Sequence, residues 1–248
     1  LAQWGMVVAY VGVIGRLAQR HSAQVRPSAR GVRGSARTGG WLFLRTVSLR
    51  IALLTTVAVA TVVGTDELAG WQVAYTIFSA AAFALDALAI AAQALIGKSL
   101  GEQDHARVRK VLQRTSAWGL WFGILVGAGV AAASGVIGIL FTGDPELAAI
   151  VQPALLVLAV AQPLCGIVFV WDGVLIGAGD ARYLAIAGAL NLVPFLPALA
   201  LVAIFHPGGA AGLAWLAVAF FGVYMLARAA TLGWRLRGQT WLGSTLNI

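Results

Sequence analysis

The sequence is poor in charge, in sulfur and in lysine. Only 10% of its 248 residues are Asp, Glu, Lys or Arg, against 60% hydrophobic residues. A soluble domain carries about 25% charged residues, so an ordinary soluble enzyme is excluded, as are a disordered chain and a coiled coil. One cysteine, Cys165, lies inside an apolar run and excludes an intramolecular disulfide. Its type and setting suit a small buried apolar residue. No G-x-x-x-x-G-K-[ST] string is present, so a phosphate-binding P-loop is excluded. His21, His105 and His206 are scattered, without metal-ligand spacing. No Ser elbow or Cys/His nucleophile pattern occurs. The reading is therefore of a chain that is not an enzyme, with no cofactor and no metal.

What is present is apolar length. Mean hydropathy is +0.88, and the apolar runs are long and unbroken, unlike the alternation of a membrane β-barrel. A spanning helix needs about 20 mostly apolar residues. Six complete spans are expected over residues 41–63, 71–97, 116–141, 150–176, 183–204 and 209–233. Residues 1–15 are too short to span and read as the end of a preceding helix whose start lies upstream. The expected fold class is an all-α polytopic membrane protein. Its divisions are 1–15, a basic linker 16–40, a six-helix body 41–233 and a tail 234–248.

The charges orient these spans. Arg16, Arg20, Arg26, Arg30, Arg33 and Arg37 fill the first loop; Lys98, Arg107, Arg109, Lys110 and Arg114 fill the third; Arg182 lies in the fifth. Arg235 and Arg237 lie in the tail. The alternate loops hold Asp66, Glu67, Asp144, Glu146 and His206, with no Lys or Arg. The basic loops and the tail are then expected in the cytoplasm, with the chain in the cell membrane. A net charge of +8 is read as topology, not as nucleic-acid binding. Trp41, Trp71, Trp215 and Trp234 fall near the expected interfaces. The linker, rich in Arg, Gly and Ser, reads as flexible and drawn to anionic lipid. Residues 101–115 set Val108, Val111 and Leu112 against basic residues, which suits either a short surface helix or an ordinary basic connector.

Charge inside a span is costly and marks candidate function. Arg45, Arg50, Asp86 and Asp172 stand out. Asp86 lies ~16 Å from the cytoplasmic end of its helix and Arg50 ~13 Å from the end of the preceding one, at 1.5 Å per residue. Their similar depth predicts an Asp86–Arg50 ion pair, direct or water-bridged. Arg45, nearer the interface, is expected to snorkel. Tyr75, Ser79, Ala82, Asp86, Ala89, Gln93 and Gly97 share one helix face, while Phe78, Leu85 and Leu88 are expected to face lipid. The pair admits three readings: a structural tie, part of a cavity, or a protonation switch. Asp172 and Asp180, among Gly173, Gly177 and Gly179, admit two: a gate at the cytoplasmic mouth, or a glycine-capped helix end. Asn191 adds a polar group to a span bent by Pro194 and Pro197; Pro153 and Pro163 do the same in the span before it.

Three strings carry a resemblance. Leu85-Asp-Ala-Leu-Ala-Ile-Ala-Ala-Gln-Ala-Leu-Ile-Gly-Lys-Ser-Leu-Gly101 resembles the eighth helix of multidrug and toxic compound extrusion (MATE) transporters. Asp172-Gly-Val-Leu-Ile-Gly-Ala-Gly-Asp180 resembles the end of their tenth, and Leu44-Arg-Thr-Val-Ser-Leu-Arg50 the start of the seventh in the DinF-like branch. The resemblance implies the C-terminal lobe of a twelve-helix fold whose two lobes are related by a pseudo-twofold axis. It implies a secondary antiporter, driven by H⁺ or Na⁺, that exports small organic compounds by alternating access. Implied partners are that substrate, the coupling ion, membrane lipids and an N-terminal lobe. In the DinF-like branch the coupling carboxylate belongs to the other lobe, so no ion site is assigned here. Arg50, Asp86, Gln93, Asp172 and Asn191 are the cavity or gate candidates. Other readings are a flippase for a lipid-linked precursor, a half-length scaffold, a pump subunit, and a lipid enzyme echoing the Asp-Gly of CDP-alcohol transferases at Asp172-Gly173.

Overall fold

The computed structural model describes residues 2–20, 29–205 and 208–242. His21, Arg26 and His206, read from the sequence as loop residues, lie outside these described residues. The chain falls into two compact units, Leu1–Arg37 and Thr38–Ile248. The first holds α1, Ala2–Arg20. The second is an antiparallel succession of long helices. It begins within α2, Ala29–Val63, and continues through α3, Thr65–Gly101, α4, His105–Thr142, α5, Pro145–Gly177, and α6, Ala181–Phe205. The last span is α7, Gly209–Ala217, a π-helical segment Val218–Tyr224, and α8, Met225–Arg237. Among the described residues six helices are long and apolar enough to cross a membrane, and the chain is a multi-pass α-helical membrane protein.

The helices overrun the apolar windows because hydropathy marks only the hydrocarbon-embedded part, whereas a helix continues until a residue stops it. Two expectations change as a result. Residues 29–40, expected as flexible linker, are helical within α2. Extending an existing helix is cheap where starting one is costly, and Ala and Arg support it despite the glycines. Residues 105–115, one reading of which was a separate surface helix, are the first turns of α4. The amphipathic pattern there is real: Val108 is fully buried while Arg107, Arg109, Lys110 and Arg114 are exposed.

The turns follow local chemistry. Asp104 caps α4 by accepting from the Arg107 N–H at 2.9 Å, and Asp144 caps α5 by accepting from the Glu146 N–H at 2.8 Å. Gly143 closes α4 in the left-handed conformation, φ 65°. Gly179, φ 74°, closes α5, with the Asp180 N–H reaching back to the Leu175 carbonyl at 3.0 Å. The end of α5 is thus glycine-capped. At one end of the body the Arg235 Nε donates to Asp180 at 2.6 Å and the Arg182 guanidinium lies 6.0 Å from the Trp41 ring centroid. At the opposite end the Gly209 N–H donates to the buried Glu67 carboxylate, tying the α2–α3 turn to the start of α7.

α5 is the central helix, packed against α3, α4, α6, α7, the π segment and α8. Small residues let backbones meet. Gly119, Gly123 and Gly127, four apart on α4, lie against the α5 backbone at Gly166, Gln162 and Ala159; a Cβ on Gly119 would sit 2.6 Å from the Gly166 carbonyl oxygen. Gly173 and Gly177, four apart on α5, meet the α3 backbone at Ala89 and Gln93 in the same way. This is small-xxx-small packing, the usual means of close helix association in lipid. An aromatic core fills the space beside it. Trp71, expected at an interface, is buried against Phe220 and Phe221, with ring centroids 5.4 and 5.6 Å away. Phe78 and Leu85, expected to face lipid, are also buried. Phe78 packs 6.3 Å from Phe169 and 5.2 Å from Phe221.

The crossing of α4 and α5 yields a first prediction. Gly123→Leu should lower the melting temperature of the purified protein by more than 5 °C, because the backbone opposite cannot yield. Gly129→Leu, where nothing lies within 4 Å, should leave it unchanged.

Candidate functional site

Four helices and the π segment enclose a cleft of about 530 Å³. α2 contributes Arg45, Leu49, Arg50 and Leu53; α3 contributes the stripe Tyr75, Ser79, Ala82, Asp86, Ala89 and Gln93. α5 supplies Phe169, Asp172, Gly173 and Ile176, and the last span supplies Phe220, Met225 and Arg228. The small and polar stripe of α3 lines the cleft together with Phe78, Phe83 and Ile90. α5 meets the C-terminal half of that stripe, Gly173 lying against the Ala89 backbone and Gly177 against that of Gln93.

The charged centre is a triad. Asp172 is buried, and its Oδ2 lies 3.0 Å from Arg45 Nη2 and also accepts from Arg228 Nη2. Arg228 is buried too. Its guanidinium carbon lies 5.9 Å from the ring centroids of Phe169 and Tyr224, within cation–π reach of both. One carboxylate thus joins α2, α5 and α8. Next to it, a smaller pocket is lined by Arg45, Asp172, Asn191, Tyr224 and Arg228 among others. Asn191, buried on α6, accepts from the Thr231 hydroxyl at 3.0 Å. Gly188, one turn before Asn191, would carry a Cβ only 3.3 Å from Ser48 of α2, so α6 comes close to α2 beside the triad.

The expected Asp86–Arg50 ion pair does not form among the described residues. Both side chains are exposed on the cleft wall, and neither takes part in a salt bridge there. Arg45, expected to snorkel, is the arginine that pairs, and Asp172 is its acid. Matching depth on adjacent helices ignores rotation: Arg45 and Arg50 differ by roughly 140° around the helix. The structure brings Arg50, Asp86, Gln93 and Asp172 to one cleft and places Asn191 in the adjoining pocket. Sequence reasoning missed Arg228. The signal was available, an arginine between Ala227 and Ala229 in an apolar span, and the rule that singled out Arg45 applies to it equally.

Comparison with known proteins places this geometry. The MatE family profile matches residues 46–200. Protein DETOXIFICATION 44, chloroplastic, of Arabidopsis thaliana is 30% identical over 208 residues, which are 82% of this chain and 38% of that protein. Protein DETOXIFICATION 45, chloroplastic, of the same plant is 29% identical over 84% of this chain and 37% of its own length. The chain thus spans well under half of these relatives. Among solved structures, a Vibrio cholerae MATE transporter superposes with a TM-score of 0.76 at 20% identity, over 95% of this chain and 54% of that one. A MATE described in the bent conformation gives 0.75 at 20% identity, over 90% and 49%. A MOP superfamily transporter from Pyrococcus furiosus, reported with a binding pocket of reverse polarity, gives 0.69 at 14% identity, over 87% and 44%. These likenesses show the fold.

The triad makes a stability prediction. Asp172→Ala strands two guanidinium groups in a buried site and should cost about 3 kcal/mol or more. Arg45→Ala leaves the Arg228–Asp172 contact in place and should cost clearly less. Thermal unfolding in detergent measures both; equal losses would show that Arg228 does not hold the acid.

Proposed function

The chain belongs to the MatE family of membrane transporters, and on that premise we propose that it is the C-terminal lobe of a cation-coupled secondary antiporter. It exports organic compounds by alternating access together with a second six-helix lobe, on the same or another polypeptide. The coupling ion is H⁺ or Na⁺. The protein resides in the cell membrane with its basic loops and C-terminal end in the cytoplasm, as the segregation of Lys and Arg to alternate turns favours.

The observation that carries this reading is the cleft. It lies between α2, α3, α5 and the last span, has the volume of a drug-sized ligand site, and combines aromatic walls with intramembrane charges. Such charges in a span mark substrate or ion pathways. Arg50, Asp86 and Gln93 line it as ligand-facing groups. Asp172 acts as a gate element through its ties to α2 and α8, and Asn191 steadies α8 from α6. The prolines of α5 and α6 and the π segment supply places where these helices can flex.

A second reading has one observation in its favour. A flippase for a lipid-linked precursor calls for basic residues in the cavity, and this cleft holds three arginines against two aspartates.

Transport by the native polypeptide in proteoliposomes tests the first reading. An imposed H⁺ or Na⁺ gradient should drive substrate in the opposite direction, and collapsing the gradient with an ionophore should abolish it. Substrate movement that ignores both gradients would exclude secondary antiport. Arg45→Ala should reduce the rate at least tenfold while leaving the protein folded.

A further inference from the structure

We propose that the cleft is an anion receptor: its ligand is an organic anion with an apolar or aromatic body, held by the guanidinium group of Arg50 and by the excess charge of the triad. The inference rests on the transport reading of the same cleft and names its substrate class.

The charge count leads to it. Arg45, Arg50 and Arg228 face the cleft, as do Asp86 and Asp172. Arg45 and Arg228 share the single carboxylate of Asp172, so the triad carries one positive charge in excess. Arg50 and Asp86 are each without an ion pair among the described residues, and they cancel in sum. The lining therefore keeps a net charge of +1. A guanidinium keeps its proton, unlike a lysine or a histidine, so the excess charge persists at any ordinary pH. An anion meets that charge directly, and a cleft of about 530 Å³ leaves room for a large one. Low-dielectric walls strengthen the attraction.

The body of the ligand is read from the walls. Tyr75, Phe78, Phe83, Phe169 and Phe220 contribute rings to the cleft. Apolar and aromatic walls with a few fixed polar groups suit a drug-sized amphiphile. Arg50 is exposed in the cleft and held in no salt bridge among the described residues, so its planar fork can meet a carboxylate, sulfonate or phosphate. Ser79 and Gln93, on the facing helix, offer neutral hydrogen-bond donors. A free organic anion and the diphosphate head of a lipid share this chemistry.

The test is ligand-dependent thermal stabilisation of the native polypeptide in detergent. The probes are benzoate and naphthalene-2-sulfonate as soluble anions, a polyprenyl diphosphate as the lipid source, and tetraphenylphosphonium as the cationic control. At least one anion should stabilise the protein. Arg50→Gln should weaken its apparent affinity about tenfold, as expected for loss of one charge-assisted contact, and Arg50→Lys should recover part of it. Arg50→Glu, which turns the net charge to −1, should transfer the stabilisation to tetraphenylphosphonium. Arg237→Gln, outside the cleft, should bind as the native chain does. Stabilisation by the diphosphate alone assigns the anion to a lipid; stabilisation by the soluble probes assigns it to a free solute. Stabilisation by tetraphenylphosphonium alone, or by no probe, overturns the proposal, as does anion binding that Arg50→Gln and Arg50→Glu leave intact. Because binding is read without transport, vesicles that export the cation while no anion binds would overturn this inference alone. Anion binding without gradient-driven movement would overturn only the antiport reading.

Discussion

Asp172 is the point on which the site depends. A carboxylate buried within the last two turns of an apolar helix is tolerable only when its charge is met at once, and here two guanidinium groups meet it from two other helices. The contact fixes the rotation of α2 and α8 about their axes as well as their distance from α5. A hydrophobic contact could not do this, since in lipid a leucine is as well solvated outside the body as inside it. Polar pairing therefore supplies the angular specificity, and glycine packing supplies the proximity. Beside the triad, Gly188 lets α6 approach Ser48 of α2, and Gly233 lets α8 approach Trp171 of α5.

The same two elements explain why the cleft stays open. Tight backbone contact joins α5 to α3 at Ala89 and Gln93, while the small residues Ser79 and Ala82 earlier along α3 leave space unfilled. The triad holds α2 and α8 across the gap, and the rings of Phe78, Phe169 and Phe220 form part of its walls, with Phe221 packed against Phe78 and Phe220. An interior of this kind is stiff where glycines meet and yielding where prolines and the π segment lie. That division suits a body that must keep its ligand walls while its ends move.

Much of the fold is legible in the sequence. Six spans follow from apolar runs because hydrocarbon thickness sets a minimum length, and one reading of the end of α5, the glycine cap at Gly179, is legible from its glycines. The polar stripe of α3 is legible by its period. What the period does not carry is the identity of the neighbour: Phe78 and Leu85 look like lipid-facing residues until α5 is placed on them. The site shows the same boundary. Asp172 announces itself as a charge in a span, yet its partners depend on helix rotation, which depth does not encode. Arg50 matches Asp86 in depth, but Arg45 is the residue turned toward the acid. Arg228 lies beyond a π-helical segment, where the ordinary helical period slips, so its facing cannot be extrapolated from Leu213 or Leu216.

The chain order of the triad has a consequence for how the protein reaches its membrane. Synthesis runs from the N-terminus, so α2 arrives in the bilayer before α5, and α5 before α8. A lone charge in an inserting helix is costly. Asp172 enters when Arg45 is already in place, and Arg228 enters when Asp172 is. Only Arg45 must cross unaccompanied, and it is the least enclosed of the three, with a quarter of its side chain exposed. The linear sequence thereby schedules its buried charges so that every later arrival finds its counterion waiting.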